Sequence, residues 1–159
     1  MQPLSEEAAM LQPGDRVPDF SLEAGTGETV ETAQLQGRRW VIYFYPKDHT
    51  PGCAMETGEF GRALPQFEQR GVSIFGCSVG EVAAKTEFAA ACGVPGLPLL
   101  ADPDHRVAEQ FGAWVGGEGG RPGGVTRCTF LIGGDGRVEQ TWAKVTPAGH
   151  AAAVLAAAG

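Results

Sequence analysis

Three runs, "RWVIYFY" (Arg39 to Tyr45), "VSIFGCS" (Val72 to Ser78) and "CTFLIG" (Cys128 to Gly133), are apolar on successive positions and rich in β-branched and aromatic residues. Runs of this length and composition predict strands covered on both faces. "DFSLEA" (Asp19 to Ala24) can pair with the segment after the turn-like "GTGE", "LPLLA" reads as a short strand, and "RVEQTWA" returns after a "GDG" turn. Between the strands the period changes. Ala54 to Gln69 places Phe60, Leu64 and Phe67 at helical spacing, although Gly58, Gly61 and Pro65 are expected to interrupt or bend that helix. Glu81 to Cys92 has helix composition, Pro103 to Phe111 reads as a helix begun by Asp102 and Pro103, and an alanine-rich helix runs from Pro147.

The order is an N-terminal β-hairpin, then strand, helix, strand, helix, strand, helix, hairpin and terminal helix, which predicts an α/β fold with a central mixed β-sheet flanked by helices. "GAWVGGEGGRPGG", Gly112 to Gly124, with seven glycines in thirteen residues, reads as a mobile surface loop. Parallel strands with crossover connections gather their loops at one sheet edge. The carboxyl end of "RWVIYFY" opens there into the Pro46 to Gly52 loop, which makes that edge the expected place for chemistry.

At 159 residues the chain is read as one domain, residues 1–159, able to build a core without disulfides or a structural metal. A net charge of -7, from 12 Lys and Arg against 19 Asp and Glu, argues against nucleic acid and anionic membranes as partners. "MQPLSEEAAM" lacks the basic and apolar regions of a secretory leader, and no run reaches membrane-spanning length, so a cytoplasmic location is expected. In that reducing setting Cys53, Cys77, Cys92 and Cys128 rest as thiols, and any disulfide among them is transient and catalytic.

Cys53 follows "TPG" at a loop-to-helix junction, which places it in a first helical turn among unpaired N–H groups. Lowering an ordinary thiol from a pKa of ~8.5 to ~6 takes about 3.4 kcal/mol, whereas a helix terminus supplies roughly 0.3 to 2. A further donor or cation is required. Thr50 can turn its hydroxyl toward the sulfur or toward an oxygen atom beside it, and Pro46 closes the loop on the other side and restricts water. A pocket of this kind suits attack on a dioxygen bond, with donors ready for the negative charge on the leaving oxygen. A zinc site is disfavoured, because no CxxC or CxxH pair exists. His49 reads as an exposed loop residue, His105 and His150 as solvent-facing helix residues, and Trp40, Trp114 and Trp142 as packing or loop anchors.

"FYPKDHTPGC", together with "GDRVPDFSL", "ADPDHRVAEQFGAW" and "TRCTFLIGGDGRV", resembles the peroxiredoxins, and in particular the bacterioferritin comigratory protein or Q-type subfamily, over nearly the whole chain. The resemblance implies a thioredoxin-like fold and a thiol peroxidase that reduces hydrogen peroxide and organic hydroperoxides without haem, flavin or metal. It implies that Cys53 is the peroxidatic cysteine, Thr50 the hydroxyl that holds peroxide and thiolate, Pro46 the shield, Arg127 the missing positive charge and Glu56 a carboxylate that orients it. A thioredoxin-class dithiol protein is the implied reductant, and a monomer the implied state.

Attack on peroxide leaves a sulfenic acid that must be condensed with a thiol before further oxidation. Many relatives place that thiol five residues on, where this chain has Gly58. Others place it in the next helix, which makes Cys92 the first candidate. Cys92 lies three residues beyond the usual position, about 4.5 Å of helix rise, and a disulfide needs Cα atoms within roughly 7 Å. The first turn after Cys53 is therefore expected to unwind. Cys77 and Cys128 lie in apolar strands and read as buried small hydrophobes. Resolution by an external thiol, and a peroxide-sensing module without turnover, stay open as alternatives. A disulfide reductase on the same fold is disfavoured, since no second cysteine follows Cys53 in a CxxC pair.

Overall fold

The structure is a computed structural model that describes residues 10–116 and 123–159. The first nine residues, read above for a leader, and residues 117–122 of the glycine-rich segment lie outside the described residues.

The chain begins with the expected hairpin, β1 (Ser21–Glu23) paired antiparallel with β2 (Thr29–Glu31). Then come β3 (Arg39–Phe44), α1 (Pro51–Gln69), β4 (Val72–Ser78), α2 (Val82–Ala91), β5 (Leu99–Ala101) and α3 (Arg106–Phe111). Two short strands, β6 (Trp114–Val115) and β7 (Gly124–Val125), precede β8 (Cys128–Ile132), β9 (Val138–Trp142) and α4 (His150–Ala158). The main sheet has the order β5-β4-β3-β8-β9, with β3, β4 and β5 parallel and β8 and β9 antiparallel. This is the mixed sheet that the sequence predicts.

The doubly apolar β3 explains the layering. Trp40, Ile42 and Phe44 point into one buried cluster with Phe111 of α3, Phe130 and Cys77. Val41, Tyr43 and Tyr45 point into the other, with Phe60 and Phe67 of α1, Phe88 of α2 and Val154 of α4. Alternate residues of one strand thus supply both cores, and α1, α2 and α4 cover the face on which Cys53 lies.

Three expectations need correction. First, α1 runs unbroken through Gly58, Gly61 and Pro65. Gly61 does not break the helix because tertiary contact requires it: a Cβ there would stand 2.3 Å from Val94 Cγ1, so only glycine lets α1 lie this close to the segment after α2. Second, α3 and α4 start later than their prolines suggested, after turns whose last residues, His105 and Gly149, are in the left-handed region. Asp102 still caps α3, across that turn, by accepting from the amides of Val107 and Ala108. Third, the ends of the glycine-rich segment are paired strands rather than loop, Trp114 opposite Val125 and Val115 opposite Gly124.

Gly61→Ala should therefore destabilise the protein by about 1–3 kcal/mol despite alanine's better helix propensity, because the overlap with Val94 outweighs it. Urea unfolding of Gly61→Ala and of Gly61→Ala/Val94→Ala checks this. The second change should recover part of the loss, and a stabilised single variant would contradict the packing account.

Candidate active site

At the carboxyl end of β3 the chain turns through Pro46–Thr50 into α1. Thr50 is the N-cap, with extended backbone, and Pro51 occupies the first helical position. The first intrahelical bond runs from the Ala54 amide to the Thr50 carbonyl, so the amides of Gly52 and Cys53 precede the helical ladder. Cys53 itself is fully buried, in the cluster that contains Tyr43, Tyr45 and Phe60.

Arg127, just ahead of β8, reaches this point from 74 residues away in sequence. Its Nη2 donates to Cys53 Sγ at 3.3 Å and its Nη1 to Glu56 Oε1 at 2.7 Å. Gly52 makes room for the approach, since a Cβ there would lie 3.3 Å from Nη2. Glu56, one turn beyond Cys53, is completely buried, and its second oxygen, Oε2, has no hydrogen-bond partner among the described residues. Burial pushes its carboxyl up to about 7, against the hydrogen bond and charge of Arg127, which favour ionisation. Burial also works against the charge on Arg127, yet the bonds to Glu56 and Cys53 prevail and hold the guanidinium above its usual range. The fork geometry of arginine serves two acceptors at once.

The Thr50 hydroxyl donates to the Lys47 carbonyl at 2.9 Å, so its proton is engaged there rather than at the sulfur, and its oxygen keeps its capacity to accept. Pro46 is exposed. Cys92 is the C-cap of α2 and packs, half-buried, against the same cluster as Cys53. Its thiol is pushed up by burial and then by the charges of Asp48 and Cys53, which places it in the electrostatic neighbourhood of the site. All four cysteines are free. Cys77 and Cys128 are buried on the strands flanking β3, both opposite Phe44. Burial drives Cys77 well above the ordinary thiol range and Cys128 up to about 12.

Two histidines depart from the expectation of solvent exposure. His150 is buried, shares a 2.8 Å hydrogen bond with Thr129 Oγ1 and meets Phe60 and Trp142 edge-on. Burial, then the charge of Arg127, lowers its pKa to about 4. His105 is half-buried and stacks on Trp114 at 3.8 Å between ring centroids. His49 is exposed, as expected. Sequence reasoning missed Gly52, whose only signal was its place beside Cys53, and His150, whose helix reads as solvent-facing without knowledge of Trp142 and Thr129.

Residues 13–141 match the AhpC/TSA family. Peroxiredoxin Bcp of Xanthomonas campestris is 41% identical over 135 residues, covering 83% of this chain and 84% of its own. Peroxiredoxin Bcp of Escherichia coli is 36% identical over 149 residues, covering 91% and 94%. Among solved structures, one of the Xanthomonas campestris bacterioferritin comigratory protein, described in terms of its alkyl peroxide reduction activity, superposes with a TM-score of 0.82 at 37% identity, over 95% of this chain and 97% of that one.

His150 has a direct consequence for acid stability. Its folded pKa of about 4 lies below the ordinary 6.5, so the unfolded chain binds the extra proton and the folded state loses stability as pH falls from 6.5 toward 4. The stability of His150→Gln relative to the natural chain should accordingly improve as pH is lowered through that window. Urea midpoints at several pH values read this difference, and a pH-independent offset would contradict it.

Proposed function

The chain belongs to the AhpC/TSA family as a peroxiredoxin of the Bcp, or Q-type, kind, a thiol peroxidase that uses a thiol reductant, and on that premise we propose that Cys53 is its peroxidatic cysteine. The observation that carries the assignment is the Arg127 fork, which holds Sγ with one nitrogen and the buried Glu56 with the other. Arg127 supplies the charge that a helix terminus alone lacks. Glu56 acts through Arg127 by fixing its plane, and the exposed Pro46 edges the pocket mouth.

In the proposed cycle the Cys53 thiolate attacks one oxygen of a hydrogen peroxide or organic hydroperoxide. An S–O bond forms as the O–O bond breaks. The departing oxygen carries the electron pair away and takes a proton to become water or an alcohol, while Arg127 and the amides of Gly52 and Cys53 stabilise the charge. Thr50 accepts a hydrogen bond from the peroxide O–H, a role that suits a hydroxyl whose own proton lies on the Lys47 carbonyl. The sulfenic acid then condenses with the Cys92 thiol, releasing water and leaving a Cys53–Cys92 disulfide. A dithiol protein of the thioredoxin class reduces that disulfide by exchange. The half-buried position of Cys92 at the C-cap of α2, packed against the cluster that holds Cys53, supports this choice over Cys77 and Cys128, which are buried in strands. In this reading α1's first turn unwinds for the pairing, which the full burial of Cys53 at its helix start supports. We infer that the chain works as a monomeric single domain in the cytoplasm, a reading that its acidic charge and free thiols suit; no helix among the described residues is long and apolar enough to cross a membrane.

Cys53→Ser should abolish peroxide consumption, and Arg127→Ala should slow the stopped-flow reaction of Cys53 with peroxide by about 10²–10³-fold. Thr50→Val should slow it by roughly tenfold or more through loss of the acceptor. Unchanged turnover in Cys53→Ser would sink the assignment. Separately, peptide mapping after one equivalent of peroxide should find Cys53 joined to Cys92. A stable Cys53 sulfenic acid with Cys92 still alkylatable would assign resolution to an external thiol.

A further inference from the structure

Lys85, midway along α2, is completely buried, an unusual place for a charge that an apolar side chain could fill at less cost. Its Nζ donates to Asp48 Oδ2 at 2.8 Å and to the Val79 carbonyl at 2.7 Å. The other Asp48 oxygen, Oδ1, accepts from the Tyr45 hydroxyl at 2.7 Å. Both oxygens of Asp48 are thus occupied, and the Lys85 ammonium lies 5.6 Å from the centre of the Tyr45 ring.

Asp48 belongs to the loop that delivers Thr50 and Cys53. Among the described residues, the hydrogen bonds that tie this loop to anything other than itself and α1 all pass through the Asp48 side chain. The residue after Asp48, His49, sits at a φ of 61°, in the left-handed region that a histidine adopts at a cost, with its ring edge-on to Phe88. The strained residue stands beside the one side chain through which the loop is hydrogen-bonded to the rest of the protein.

The two ends of the tie differ in firmness. Next to Lys85, Thr86 Oγ1 donates to the Gly25 carbonyl at 2.7 Å, and the Gly25 amide donates to Leu99. Gly25 packs so tightly on α2 that a Cβ there would stand 2.7 Å from the Thr86 amide. This half of α2 is therefore pinned to the hairpin and to β5 independently of Asp48. The loop has no comparable second hydrogen-bonded anchor among the described residues. The pair also joins the segment leading into Cys53 to the helix that ends at Cys92.

We propose that Lys85 is a positioning residue for the peroxide reaction: through Asp48 it latches the Pro46–Thr50 loop in place beside Cys53. The proposal rests on Cys53 being the residue that meets peroxide. It assigns Lys85 and Asp48 to the geometry of Thr50 and the α1 start, not to contact with substrate.

Hydrogen–deuterium exchange of the reduced full-length protein reads the latch directly. In Lys85→Met and in Asp48→Asn, peptides spanning residues 46–57 should exchange at least about tenfold faster, while those of α2 around Thr86 keep their protection. The stopped-flow reaction of Cys53 with hydrogen peroxide should slow by about 10²-fold, the size expected when a reacting geometry is loosened rather than a reacting group removed. Because both residues act through one contact, Lys85→Met/Asp48→Asn should be no slower than the worse single variant. Val138→Ala, a core truncation in β9 on the other face of the sheet, serves as a control for general destabilisation and should leave loop exchange and peroxide rate as they are. Loop exchange in both single variants no faster than in Val138→Ala, or additive losses in the double variant, would overturn the latch. A wild-type Cys53 inert to peroxide would overturn the peroxidatic assignment instead, a result that the exchange measurement keeps distinct.

Discussion

The contact on which the rest of the site depends is the guanidinium of Arg127 laid between a thiol and a carboxyl, neither of which water can reach. Cys53 and Glu56 are both fully buried and lie one turn apart on α1, so two groups able to carry negative charge share one low-dielectric pocket. Without a cation between them that arrangement would be costly. Arg127 makes it tenable, and its position makes demands on the fold. The strand β8 must pair antiparallel with β3 to bring residue 127 to the loop edge, and position 52 must carry no side chain.

This contact also shows where sequence reading succeeds and where it stops. The runs that became β3, β4 and β8 were legible because strands buried on both faces have few other compositions open to them. The start of α1 was legible in "TPGC", a local signal. Arg127 is not local: 74 residues separate it from Cys53, and only the family resemblance singled it out. Lys85 was illegible for a related reason. A lysine in a mid-helix position reads as solvent-facing, and its burial depends on Asp48, 37 residues earlier.

Gly61 was read through its intrinsic dislike of helix, whereas its contact with Val94 decided the outcome. Pro103 and Pro147 were read as first helical residues, yet each opens a turn that leads into its helix through a left-handed residue. His150 follows from the last of these. A helix beginning at residue 150 turns that ring inward against Thr129, where it stays neutral behind Arg127 and adds no second positive charge to the site. At Gly61 local propensity was overruled because a distant element needed the side chain to be absent.

The bond from the Thr50 hydroxyl to the Lys47 carbonyl carries a consequence for chemical selectivity. With its proton committed to the backbone, Thr50 offers the proposed substrate only an acceptor, and an acceptor is satisfied only by a molecule that brings its own O–H. Hydrogen peroxide and hydroperoxides do so. A dialkyl peroxide or an endoperoxide, with carbon on both oxygens, has the same weak bond to break and nothing to give Thr50. On the proposed role of Thr50, one backbone carbonyl would separate oxidants that carry an O–H from those in which carbon has taken its place.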